Sequence, residues 1–276
     1  MNGFTNLPFN LFLASHKLIP LYLINTFFAM KHSIYLMGLF FLLMGCQKEL
    51  SFENQTYNKK SSLACNDDCP EITVSIPEAQ GAAVVMDSIN TKVFSVLKEI
   101  VYFGEKPYTS KDYDGLLSAF IGSYEKLKTE FPKDEFGWEA KIEGSVIYQS
   151  DSILNIEINH YTYTGGAHGY QGLRSLLFDP KTGQSIDNAQ LFKDQNAFKA
   201  FAEKKFRSKF KIPVNHSINA TKFMFEGDQF QLPLNIFYTN DGLLLYYNRY
   251  EIASYADGPK ELLLPYDEIK EYLLLK

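Results

Sequence analysis

The clearest pattern of apolar and polar positions runs from Ile153 to Thr164. Leu154, Ile156 and Ile158 share one parity with His160, while Asn155, Glu157, Asn159, Tyr161 and Tyr163 share the other. A period of two over this length predicts a strand with one buried face. Trp138, Ala140 and Ile142 alternate in the same way with Glu139, Lys141 and Glu143. Val146–Tyr148 and the polar Gln149-Ser150-Asp151 turn make the two runs a hairpin. Leu173–Phe178 predicts the return strand, closed by the turn Asp179-Pro180-Lys181-Thr182-Gly183. Upstream, Glu71–Ile76 predicts a first strand, which Pro77 ends. Downstream, Phe230–Tyr238 and Leu243–Tyr247 flank Asn240-Asp241-Gly242 and predict a second hairpin. Glu261–Leu264 predicts a further strand, and a short helix follows Pro265.

Three segments change to helical spacing. Ile89, Val93, Val96, Leu97, Ile100 and Val101 form a stripe that Asp87 or Ser88 is placed to cap. Leu116, Leu117, Phe120, Tyr124, Leu127 and Phe131 predict a helix over Asp112–Phe131, stopped by Pro132. Phe198, Phe201, Ala202 and Phe206 predict a third, from Asp194 to Phe210, whose lysine-rich end suits the helix dipole. Helices and strands are grouped rather than strictly alternating. The expected class is therefore α+β with largely antiparallel sheets and two small subdomains packed together.

The first part of the chain has a different character. From Met30 a basic start leads into a short apolar run that ends at Leu43-Met44-Gly45-Cys46. The run is too short to span a bilayer comfortably, which takes about 20 residues. It predicts a secretory signal over 30–45. Its last four residues resemble the lipobox of bacterial lipoproteins, which implies a lipid on Cys46 and makes residues 1–29 an upstream extension. Residues 46–70 are polar and aperiodic and read as a tether. Gln47 after the cysteine, in place of Asp, resembles outer-membrane sorting, facing either the periplasm or the cell exterior.

With Cys46 lipidated, Cys65 and Cys69 remain as a pair. In an oxidising compartment they are expected to bridge and to stiffen a turn. No second Cys or His pair accompanies them, so no metal site is expected.

The chain is mildly acidic, with a formal net charge of −5. Every Asp and Glu lies after residue 46. That disfavours nucleic acid, which wants a basic face, and admits a cationic protein partner. Only three histidines follow residue 46, namely His160, His168 and His216. No metal-binding His-Glu-x-x-His, nucleophile elbow or phosphate loop occurs, so no catalytic residue and no cofactor are assigned. The loose carboxylates, Asp228 with Glu226 and Asp257, read as ordinary loop acids. His160, on the apolar parity, is expected to be a hydrogen-bonded core residue.

The most unusual stretch is Tyr161-Thr162-Tyr163-Thr164-Gly165-Gly166-Ala167-His168-Gly169. Gly165 and Gly166 permit positive φ. The turn is either an anion nest beside His168 or an architectural turn. Tyr161, Tyr163, Gly165, Gly166 and His168 make up the candidate binding surface.

This stretch, with Phe178-Asp179 and Thr182-Gly183, resembles domain-of-unknown-function family 4163. Tyr250-Glu251-Ile252-Ala253-Ser254-Tyr255-Ala256-Asp257-Gly258-Pro259, followed by Leu264-Pro265-Tyr266, resembles its usual partner, family 3298. The expected modules are residues 71–185 and 186–276. The tandem is similar to the lysozyme-sensing extracellular part of the RsiV anti-sigma factors and to the non-catalytic N-terminal region of PdaC deacetylases. The resemblance implies a non-enzymatic envelope binding protein whose ligand is a lysozyme-like enzyme or peptidoglycan. An envelope hydrolase acting on wall sugars or peptides, and a structural accessory lipoprotein, are the alternatives.

Overall fold

The computed structural model describes residues 49–65, 69–133 and 137–275. The expected signal segment and Cys46 lie outside the described residues. Among the described residues no helix is long and apolar enough to cross a membrane.

A five-stranded sheet forms the first module, in the spatial order β1 (Ser51–Lys60), β2 (Glu71–Gln80), β3 (Glu139–Gln149), β4 (Leu154–Tyr163) and β5 (Tyr170–Phe178). All neighbours are antiparallel except β2 and β3, which run parallel. Helices α1 (Ala83–Val101) and α2 (Tyr113–Glu130) make the crossover that a parallel pair requires. Both pack on one face of the sheet. Their buried stripes, including Val93, Leu97, Leu116 and Phe120, meet Ile72, Val74, Ile142, Ile156 and Ile158. The mixed α+β class stands as expected, with two sheets.

Several boundaries moved, each for a physical reason. Residues 51–60, expected within a tether, form β1, paired along its whole length with β2. Only Phe52 and Tyr57 carry apolar surface toward the core. An edge strand is held mainly by its backbone ladder, so hydropathy hides it. Pro77 does not end β2. It ends the parallel pairing, whose last partners are Ser75 and Glu143, while the ladder with β1 continues to Gln80. At that point the Pro77 ring lies where a side chain on Gly144 would project, 2.9 Å from an added Cβ. Helix α1 starts at Ala83 with no side-chain cap. Asp87 and Ser88 lie inside it, and Ser88 instead donates to the Gly183 carbonyl at 2.8 Å. Asp112 and Asp194, where the second and third helices were expected to start, are N-caps, accepting from Gly115 N at 2.7 Å and from Asn196 N and Ala197 N at 2.9 and 3.0 Å.

The second module is a three-stranded antiparallel sheet, β6 (Asn235–Tyr238), β7 (Gly242–Tyr247) and β8 (Lys260–Pro265). It is joined by α3 (Gln195–Phe210) and the single turn α4 (Tyr266–Ile269). Phe198, Phe206, Phe223, Phe225, Phe230 and Tyr247 build an aromatic core around α3. Residues 230–234 were expected to be strand, but Pro233 has no N–H for a ladder and β6 begins only at Asn235.

The outer edge of β5 is where the modules meet, and asparagines close it. Asn248 caps Leu173 with both halves of its carboxamide, accepting from Leu173 N at 2.8 Å and donating to Leu173 O at 2.9 Å. Asn235 accepts from Ser175 N at 3.0 Å, and Ser175 Oγ donates to Ile236 O at 2.6 Å. Buried Asn155 donates to Ser175 Oγ at 3.0 Å and accepts from Tyr238 N at 2.8 Å. Ile153 and Leu177 insert into the second core.

Candidate functional site

The register defines the two ends of the large sheet. At one end lie Ser51, Gln80, Leu154 and Phe178. At the other lie Lys60, Glu71, Glu139, Tyr163 and Tyr170. Ten-residue strands separate these ends by about 30 Å. The glycine turn between β4 and β5 stands at the second end, opposite the point where the described chain enters β1.

Gly165 and Gly166 adopt φ of 104° and 91°. An added Cβ at either would meet no heavy atom within 4 Å, so backbone conformation, not crowding, demands glycine. Tyr163 Oη donates to Gly166 O at 3.1 Å and braces the turn. The Tyr161 ring lies against Gly169 and leaves no room there for a Cβ. Both tyrosines are half-buried, and each supports the turn. The exposed tip is Gly166-Ala167-His168.

His168 does not stand alone. Its ring stacks on Tyr255, with centroids 3.9 Å apart and planes at 20°. His168 Nδ1 donates to Gly169 O at 2.9 Å, since a carbonyl oxygen can only accept. Tyr255 Oη donates to the same carbonyl at 3.0 Å. The Arg249 guanidinium lies 5.2 Å from the Tyr255 centroid, within cation–π range. Tyr250 lies 5.4 Å from Tyr255, is 57% exposed and holds a left-handed φ of 68°. Strain of this kind gathers at contact sites. The result is a ledge of three aromatic rings and one guanidinium, contributed by both modules.

Two carboxylates hold the loop that carries Tyr255. Glu251 accepts from Leu234 N at 2.9 Å and Asn248 N at 2.8 Å, and burial raises its pKa. Asp257 accepts from Ser254 Oγ at 2.5 Å and pairs with Lys222 at 3.2 Å. The Ser254 bond, followed by the Lys222 contacts, holds its pKa down. Asp228 serves a turn, accepting from Ser217 Oγ and from Asn219 N. Among the described residues no three His, Cys, Asp or Glu side chains converge as a metal site. Cys65 and Cys69 are disulfide-bonded in the loop between β1 and β2, their Cα atoms 5.3 Å apart.

His160 is buried as its parity predicts, at 4% exposure. It is not hydrogen-bonded as expected: neither ring nitrogen has a partner among the described residues. Gly172 opposite leaves the ring close to Asn248 and Tyr170. Burial, and secondarily the charge of Arg174, push its pKa down to about 4.

The candidate surface therefore keeps His168 and the glycine turn, recasts Tyr161 and Tyr163 as supports, and adds Tyr255, Arg249 and Tyr250. The last three sit at or beside the Tyr250–Pro259 motif. Nothing local marks them as partners of a residue more than 80 positions away.

Comparison with known proteins finds two families along the chain. Residues 63–171 match the family described as "Deacetylase PdaC", and residues 189–267 match the "Protein of unknown function (DUF3298)" family. The chain thus combines a PdaC-like region with a DUF3298 region. Its fold is similar to that of a DUF3298 family protein from Pseudomonas aeruginosa PAO1, at 20% identity and a TM-score of 0.60, covering 84% of this chain and 97% of that one. It is also similar to a DUF3298 family member from Bacteroides fragilis NCTC 9343, at 21% identity and a TM-score of 0.60, covering 82% and 94%. No curated protein matches the chain.

Proposed function

We propose that this chain is a non-enzymatic, lipid-anchored binding protein of the cell envelope that recognises a lysozyme-like wall-degrading enzyme or peptidoglycan. The observation that supports this reading best is the ledge of His168, Tyr255, Tyr250 and Arg249. Tyrosine and arginine dominate binding hot spots because they combine large contact area with polar tips. The ledge stands at the end of the sheet farther from Ser51. A lipid on Cys46, with a spacer of only residues 47–50, would hold the other end near an outer-membrane surface and turn the ledge away from it. A PdaC-like and a DUF3298 region agree with an envelope setting.

The test is binding of the full-length chain, purified in mild detergent, to lysozyme by calorimetry and to isolated cell-wall sacculi by sedimentation. Binding to either that Tyr255→Ala weakens about 10-fold or more is the expected result. Absence of binding to both overturns the reading.

The family description "Deacetylase PdaC" makes envelope hydrolysis the second reading. Release of acetate from wall glycan by the wild type, lost in His168→Ala, would establish it in place of the first.

A further inference from the structure

Helices α1 and α2 cover only one face of the large sheet. On the opposite face the second module packs against the far end of β3, where Tyr148 meets Tyr238, and the side chains of β1, the Glu71–Ser75 part of β2 and the Glu139–Ser145 part of β3 on that face are exposed or half-buried. Its side chains largely satisfy one another. Thr56 and Ser75 share a hydroxyl contact at 3.1 Å, Lys60 pairs with Glu71 at 2.8 Å, and Lys141 pairs with Glu143 at 2.9 Å. Two acids are left over. Glu139, exposed beside Tyr161, and Glu157, half-buried on β4, form no ion pair among the described residues. Glu157 has lost part of its hydration without gaining a cation, and burial raises its pKa. Tyr246 of β7 stands close enough to Glu157 to feel its charge and brings the second module to this edge of the face.

We propose that this uncovered part of the face, centred on Glu139, Tyr161 and Glu157, docks a cationic protein surface. The proposal rests on the binding-protein reading above and names the face and charge of its partner. Three observations select that occupant. Two uncompensated carboxylates on an otherwise neutralised face ask for positive charge and repel anionic lipid or nucleic acid. Glu157 lies opposite Ser145, six positions along β3 from Glu139, so the two acids stand roughly 20 Å apart. That is the scale of a protein footprint rather than of a small ligand. Tyr161, which braces the glycine turn, lies between them, so the face runs on without a break to the turn that carries His168.

The experiment measures binding of the full-length chain in mild detergent to two probes. One is lysozyme, and the other is cytochrome c, equally basic but inactive on cell walls. The variants are Glu139→Lys, Glu157→Gln and, as an exposed control off the face, Glu226→Lys. Circular dichroism and Tm verify that each variant folds. The proposal expects Glu139→Lys and Glu157→Gln each to weaken binding about 5- to 10-fold at low salt, with Glu226→Lys changing it less than about 2-fold. Added salt should weaken the wild type and narrow the gap between variants. Lysozyme binding that both face variants leave unchanged overturns the proposal and leaves the reading standing. Binding of cytochrome c alone, lost in the face variants, sustains the proposal and removes lysozyme as the ligand. Binding of neither probe overturns the proposal.

Discussion

Asn248 and Leu173 lock the two modules together through a single side chain. The carboxamide accepts the Leu173 N–H at 2.8 Å and donates to the Leu173 carbonyl at 2.9 Å, so one residue substitutes for a strand partner at the edge of β5. The pair joins residues 75 positions apart, and Asn248 is followed directly by Arg249 and Tyr250. The integrity of the seam and the placement of the ledge are therefore one structural question.

Asn248→Ala leaves both groups of Leu173 without these partners. Two lost hydrogen bonds and the exposed desolvation cost predict a destabilisation of about 2–4 kcal/mol. Urea unfolding checks the value. Asn248→Asp keeps the acceptor but loses the donor, and is expected to destabilise as well.

His160 predicts a pH dependence of defined sign. Its folded-state pKa of about 4 lies below the ordinary 6.5, so between these values the unfolded chain binds more protons than the folded one. The contribution is fully present above about pH 6.5, is lost as pH falls toward 4, and amounts to about 3 kcal/mol. His160→Leu removes this part of the slope, since no buried imidazole then has to take up a proton beside Arg174. Denaturant unfolding of both proteins at pH 4.5 and 7.5 tests it. Parallel losses in the two would sink the assignment.

Gly144→Ala drives a methyl group against Pro77 Cδ and Ile158 Cδ1, at 2.9 and 3.0 Å. The parallel strands β2 and β3 cannot separate without disturbing the core beneath α1. Overpacking of this kind predicts a loss of about 1–3 kcal/mol, read from the thermal midpoint.

Tyr255→Phe separates support from contact. It removes the bond to Gly169 O but keeps the stack on His168. A stability loss of about 1 kcal/mol is expected, with the ring still available to a ligand. Tyr255→Ala removes both and is expected to lower ligand binding more than stability. Equal binding by the Phe and Ala variants would show that the ring is not a contact.

Local periodicity determined a great deal by itself. The alternation of Leu154, Ile156 and Ile158 places β4, the stripe around Leu116 and Phe120 places α2, and Asp112 and Asp194 place helix starts. These are legible because each depends on neighbours a few residues away. The same reading could not find β1, whose polar side chains conceal a ladder set by its partner β2. Nor could it see that Tyr161 and Tyr163 are drawn back to brace a turn, or that His168 is completed by Tyr255. Only the tertiary structure decided those points. Each depends on register and on the asparagine seam, which bring together positions that local sequence patterns cannot relate.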